Sequence, residues 1–193
     1  MLVKLEDDTG KKSLRRVLLE KRNNTSGDLL KIAARKIQDR LKKINAYKDA
    51  SIIGIYYSFG SEIPTQGIIE DIQSEGKIAC LPRVKKRDME FCEISDFASL
   101  EMGRFDIMEP KERCPVVHAL DVILVPSVGI TPSGVRLGYG QGFYDRYLLK
   151  NSTVTISPVL EKQVVRNIPR LESDQDIDWI VTEDRTYNAS HAR

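Results

Sequence analysis

GVRLGYGQGFYDRYLLK, residues 134–150, sets Gly138, Gly140 and Gly142 at alternate positions, directly after Arg136 and directly before Tyr144 and Asp145. Upstream, residues 121–126 (DVILVP) read as a short buried strand, and downstream, residues 143–150 read as the first turns of a helix. A glycine-rich turn between strand and helix lets bare backbone N–H groups surround a phosphate, because no Cβ blocks the approach. The helix N-terminus adds a dipole that favours the anion. Asp145 is placed to hold the magnesium ion that travels with a polyphosphate.

The spelling excludes two familiar nucleotide loops. There is no Gly-Lys-Ser/Thr of a Walker A loop. The glycines run G-x-G-x-G rather than G-x-G-x-x-G, and no clear strand-end acid follows about 20 positions on, so a dinucleotide fold fits poorly. A glycine turn alone is more often a tight connection than a ligand site. Here Arg136, Tyr139, Phe143, Tyr144 and Asp145 add cation, stacking surface and carboxylate within one segment.

Outward from the loop, short apolar runs alternate with helical patterns. Residues 51–57, 77–82, 122–126, 153–159 and 177–181 read as strands, nearly continuous in hydrophobicity and so buried on both faces, as in a parallel sheet. Residues 89–94 (MEFCEI) alternate less cleanly and suit an extra edge or antiparallel strand. Leu30, Ala33, Ile37, Leu41 and Ile44 recur at helical steps behind Ser26 or Asp28 as caps. Pro64 and Gly76 bracket a further helix. The expected fold is a three-layer α/β domain, a mostly parallel, Rossmann-like sheet flanked by helices, with ligand chemistry at the carboxyl ends of strands. One domain over residues 1–193 is expected, with loose termini at 1–10 and 185–193.

Residues 11–24 form the second signal. At about 100° per residue, Lys11, Arg15 and Arg22 fall within roughly 40° of one another, beside an apolar arc of Leu14, Val17 and Leu18. A basic helix face is commonly just solvated. Opposite a glycine-rich cradle, the same stripe would clamp the phosphates of ATP.

Composition bounds the rest. An apolar share of 41%, a charged share of 30% and a net charge of +2 are ordinary for a globular protein and do not argue for nucleic acid. The apolar runs are strand-length, so no membrane span is expected, and the acidic first ten residues do not read as a secretory leader. Cys80, Cys92 and Cys114 lack metal or C-x-x-C spacing and read as reduced, buried thiols of a cytoplasmic protein. His118 precedes a buried strand and His191 lies in the tail, so no Ser-His-Asp or Cys-His arrangement is expected.

The stretch RLGYGQGFYDR resembles the signature loop of the 5-formyltetrahydrofolate cyclo-ligase (methenyltetrahydrofolate synthetase) family. Other segments agree in order: Lys11-x-x-Leu14-Arg15 with Arg22, Glu62-Ile63-x-Thr65, KIACLPR at 77–83, GRFDIMEP at 103–110, Ile168-Pro169, Asp174 and DWIVT at 178–182. The resemblance runs from about residue 11 to 184.

It implies an ATP- and Mg²⁺-dependent cyclisation of 5-formyltetrahydrofolate to 5,10-methenyltetrahydrofolate in one-carbon metabolism, by a monomer with no membrane or nucleic-acid partner. It assigns ATP to Lys11, Arg15, Arg136, Leu137, Gly138, Tyr139, Gly140, Gln141, Gly142, Phe143 and Tyr144, with Lys11, Arg136 and Tyr144 catalytic. The folate falls to Tyr57, Glu62, Tyr139, Gly140, Gln141, Gly142 and Phe143, and the metal to Asp145 and Asp174. Ser173 stands where the family often has His, and Gln141 where many relatives have Gly. The competing reading is a non-catalytic nucleotide- or RNA-binding domain of the same fold.

Overall fold

The computed structural model describes residues 2–190, with side chains from Gly10 onward, so His191 lies outside the described residues. Helices α1 (Leu2–Asn23), α2 (Gly27–Leu41) and α3 (Asn45–Asp49) precede strand β1 (Ile52–Gly54), which is followed by α4 (Gln66–Ser74). A hairpin of β2 (Ile78–Lys85) and β3 (Asp88–Glu93) comes next. It leads to the small pair β4 (Leu100–Met102) and β5 (Met108–Pro110), then to β6 (Val116–Val117) and β7 (Val122–Leu124). A second hairpin, β8 (Gly129–Ile130) and β9 (Arg136–Leu137), delivers the glycine loop into α5 (Phe143–Lys150). Strands β10 (Val154–Pro158), β11 (Trp179–Val181) and β12 (Thr186–Asn188) complete the chain.

The main sheet runs β12-β11-β10-β7-β1-β2-β3-β6. Its five central strands pair in parallel, as the apolar runs imply. Residues 89–94 supply the antiparallel neighbour β3, and β12 pairs antiparallel with β11 at the other edge. Alternation along each strand builds two cores. Ala79 and Leu81, with Val122 and Leu124, pack against α2, α3 and α4. Cys80, Ile123 and Val125 face the other way, toward α5. Counted in chain order, the parallel strands lie 2-1-3-4-5, so the order reverses between β1 and β7. A crevice opens at such a reversal, beyond the carboxyl ends of the two strands.

Local signals explain the helices. Ser26 caps α2 by accepting from the Leu29 amide at 3.4 Å. Gly76, at φ +73, lets the chain turn back after α4. Helix α1 docks by Leu18, 1% exposed, onto Val128, Leu137 and Ile168. Gly129 permits the approach, because a Cβ there would lie 2.4 Å from Leu18 Cδ1. Burying one such leucine contributes about 1.5–3 kcal/mol.

Three expectations need correction. Val17 is 40% exposed, and Leu19 joins Leu14 in the docked face instead. Residues 2–10 are helical rather than loose, since they continue α1 without a proline to stop it. Thr186–Asn188 are strand, because β11 would otherwise leave its ladder groups unpaired. Among the described residues, no helix is long and apolar enough to cross a membrane.

Candidate active site

A cavity of about 590 Å³ fills the crevice at the strand-order reversal. Tyr56 and Tyr57 enter it just past β1, and Pro126 just past β7. That volume suits a small organic ligand. Every residue assigned from the sequence lines it: Lys11, Arg15, Tyr57, Glu62, each position from Arg136 through Asp145, and Asp174.

The glycine loop is open where an anion would sit. Gly140 has φ +99, and Gly142 caps α5 from the left-handed region at φ +67. A Cβ on Gly142 would stand 2.8 Å from Arg146 Nη1. Among the described residues, no hydrogen bond uses the amides of Gly140, Gln141 or Gly142. No side chain caps the first amides of α5 either. Amides left unpaired in a glycine-rich turn at a helix N-terminus are the donors a phosphate uses. Gln141 is exposed at the loop tip, and its carbonyl accepts from Arg146 Nη1 at 3.0 Å.

Arg15 and Arg22 of the α1 stripe bond to this loop, and Lys11 bonds to Asp174 in the same cavity wall. Arg15 Nε donates to the Gly138 carbonyl at 2.7 Å. Lys11 Nζ is hydrogen-bonded and ion-paired to Asp174, whose Oδ2 also accepts from the Leu171 amide at 2.7 Å. Arg22 Nη2 donates to the Tyr139 hydroxyl at 2.6 Å. From the loop itself, Arg136 Nη2 lies 2.9 Å from both oxygens of Asp145, and Nη1 donates to the Pro126 carbonyl at 3.2 Å.

Among the described residues, two buried polar atoms in the cavity wall have no partner, Arg136 Nε and the Tyr144 hydroxyl. The Arg136 guanidinium lies 5.8 Å from the Tyr144 ring centroid. Burial drives the Tyr144 phenol far above its ordinary range, so it stays protonated. A buried donor without an acceptor costs about 1–3 kcal/mol, which a ligand acceptor would recover.

Glu62 sits in the loop between β1 and α4, 5% exposed, and not in the first turn of α4. Its Oε1 accepts from the Tyr139 hydroxyl at 2.8 Å, and its Oε2 from the Phe59 amide at 3.1 Å. Burial raises its pKa, while the Phe59 amide, the Tyr139 hydroxyl and the Arg22 charge pull it back down.

Asp145 and Asp174 carry the hard oxygen donors that Mg²⁺ prefers. No cluster of three or more His, Cys, Asp or Glu side chains suited to a metal occurs among the described residues. This donor set fits a magnesium ion that arrives with a polyphosphate, which completes the coordination sphere from its own oxygens.

The sequence reading missed the cavity mouth. Phe105, 50% exposed, stands 6.4 Å from Phe143 ring to ring, beneath Arg104. It takes φ +63, and Asp106 follows at +57. A bulky side chain in that region is a strained outlier of the kind found at ligand sites. Nothing in the composition of residues 103–110 signals it. Arg146 was also missed; it ties the loop to the β2–β3 turn through the Arg87 carbonyl at 2.6 Å. Cys80, Cys92 and Cys114 are free and buried, and burial pushes the Cys80 thiol up to about 12.

An α/β sheet with a glycine-rich loop and basic side chains from α1 at its switch point is an arrangement suited to phosphate-handling enzymes. Residues 7–183 match the 5-formyltetrahydrofolate cyclo-ligase family, and the chain belongs to it. It is 30% identical over 156 residues to the 5-formyltetrahydrofolate cyclo-ligase of Mus musculus, covering 72% of this chain and 77% of that protein. With the Escherichia coli K12 enzyme of the same name it shares 31% over 148 residues, covering 72% and 81%. The structure of Aquifex aeolicus 5,10-methenyltetrahydrofolate synthetase superposes with a TM-score of 0.84 at 29% identity, covering 93% of this chain and 92% of that one.

Proposed function

We infer that this chain is a 5-formyltetrahydrofolate cyclo-ligase: it closes 5-formyltetrahydrofolate to 5,10-methenyltetrahydrofolate and converts ATP to ADP and phosphate. The observation that carries this is the single cavity in which the unpaired amides of the glycine loop, the α1 cations and buried Glu62 meet. Family membership supports the reaction, and the geometry supports the division of labour.

A formamide oxygen is a poor leaving group. Transfer of the γ-phosphoryl group to that oxygen makes it a good one. N10 of the folate then attacks the formyl carbon, the C–O bond breaks, and phosphate departs with the oxygen as N10 gives up its proton. The attacking nitrogen belongs to the substrate, so the protein needs no covalent nucleophile. Its tasks are positioning and charge stabilisation.

In this reading Lys11, Arg15 and Arg136 neutralise the phosphates, and the amides from Gly138 to Gly142 cradle them. Leu137 and Phe143 wall the nucleotide. The Tyr144 hydroxyl, a neutral donor without a partner among the described residues, would donate to the formyl oxygen that receives the phosphoryl group. Glu62 accepts from pterin N–H groups, and Tyr57 flanks it. Asp145 and Asp174 would hold Mg²⁺, which neutralises charge on the phosphates. Phosphate binding would draw Arg136 and Lys11 away from these two acids and free their oxygens.

Three buried free thiols support a reducing, cytoplasmic setting. Purified protein mixed with 5-formyltetrahydrofolate should develop the methenyl chromophore only when ATP and Mg²⁺ are both present. Absence of that signal at micromolar enzyme rejects the assignment.

A further inference from the structure

Tyr139 is the one residue of the glycine loop whose side chain bonds to the opposite, Glu62 side of the cavity among the described residues. Its backbone stands between Gly138 and Gly140, in the segment with free amides. Its hydroxyl donates to Glu62 Oε1 at 2.8 Å and accepts from Arg22 Nη2 at 2.6 Å. The Phe59 ring rests 5.4 Å from its own, and the Arg22 guanidinium lies 5.6 Å from its centroid.

Arg22 is 4% exposed and pairs with no carboxylate within salt-bridge distance among the described residues. Its remaining anchor is the Ser61 hydroxyl, 2.9 Å from Nε, one residue before Glu62. The cation of α1 therefore acts on Glu62 through the phenol of the loop. The phenol is held neutral by burial, so it remains a donor throughout the physiological range.

We propose that Tyr139 is a positioning residue that makes nucleotide and folate binding depend on one another, because it ties the phosphate-binding loop to the pterin-binding carboxylate. The inference rests on the cyclo-ligase reading of the cavity. When phosphates order the loop, the hydroxyl is fixed and Glu62 is aimed. When a pterin engages Glu62, the loop is held in place through the same bond. Linkage requires the two effects to be equal in size.

The groups that face Glu62 are Arg22 from α1, Tyr56 just past β1, Tyr139 from the loop and Tyr144 from α5. The carboxylate accepts from pterin N–H groups more strongly than the protonated acid does, so folate affinity weakens as pH falls through the Glu62 pKa. Tyr139 holds that pKa down by donating to the carboxylate. Removing the hydroxyl therefore moves the acid limb of folate binding to higher pH.

The test is calorimetric titration of the full chain with a non-hydrolysable ATP analogue and Mg²⁺, with and without saturating 5-formyltetrahydrofolate. Wild-type protein is expected to bind the analogue about fivefold or more tightly when folate is present. In Tyr139→Phe that factor should fall to within about twofold of unity. Far-UV circular dichroism matching wild type reports that Tyr139→Phe is folded. The acid limb of folate binding should move up in pH. Arg22→Met, which removes the positive charge acting on Glu62, should move the limb the same way. A Tyr139→Phe protein with the wild-type coupling factor and an unmoved limb overturns the proposal. So does a wild type that binds both ligands independently, though the cyclo-ligase reading survives it. A wild type that binds neither ligand overturns both.

Discussion

Arg136 and Asp145 face each other across the glycine loop, with one guanidinium nitrogen 2.9 Å from each carboxylate oxygen. The arginine side chain is 5% exposed and the aspartate 21%. The pair therefore serves two ends: it holds the loop between β9 and α5, and it stores a cation and an anion that phosphate and magnesium would separate.

Asp145→Asn removes the charge but keeps one acceptor oxygen. Arg136 is left buried with a weaker partner, at a cost of about 1–3 kcal/mol. We expect a lower melting temperature together with a turnover loss of about 100-fold or more, the scale set by losing the magnesium contact proposed for Asp145. Single-turnover rates normalised to folded protein separate the two effects. An equal loss of activity and folded fraction would make Asp145 purely structural.

Lys11→Met keeps the aliphatic stem and removes the ammonium that faces Asp174. A charge-assisted bond of about 1.5–3 kcal/mol corresponds to a 10- to 150-fold weaker nucleotide affinity. Folate binding measured without nucleotide should change little. Titration with ATP analogue and then with folate checks both, and equal losses for the two ligands would contradict the assignment.

Glu62→Gln has a stability consequence with a definite sign. The folded-state pKa of Glu62 lies above its ordinary value, chiefly through burial. Its contribution to stability is therefore fully present below the unfolded pKa and is lost as pH rises through the folded pKa. The glutamine variant should lack that decline and melt higher than wild type near neutral pH, while folate affinity drops about tenfold or more, the scale of a lost charge-assisted bond. Melting curves from pH 4 to 8 read the first effect. A variant that melts lower than wild type at pH 7 would refute it.

Phe105→Asn addresses the strained mouth of the cavity. Asparagine tolerates positive φ far better than phenylalanine, and the ring is half exposed, so little burial is lost. Stability should hold or rise by about 1 kcal/mol. The folate KM should increase severalfold as the aromatic partner of Phe143 disappears. An unchanged KM would show that the ring does not contact substrate.

Much of the site was readable before any coordinates. The span 143–150 is the observed α5, and the helical phase does bring Arg15 and Arg22 to the loop and Lys11 to Asp174 in the same cavity, because both follow from local periodicity. Phe105 and Arg146 were not readable. The first depends on two consecutive left-handed residues that no propensity favours, and the second on a carbonyl 59 positions away in the chain.

The pairing of charges was equally hidden. Sequence placed Asp145 and Asp174 as metal ligands but could not show that each is already held by a cation from another element. A side chain's type and helical phase are local properties, so the chain alone determined the parallel strands, the glycine cradle and the cationic stripe. Which carboxylate meets which cation, and that Tyr139 bridges Arg22 to Glu62, are contacts between segments up to 163 residues apart. Only the packing of α1 and the loops against the assembled sheet brings those segments within bonding distance.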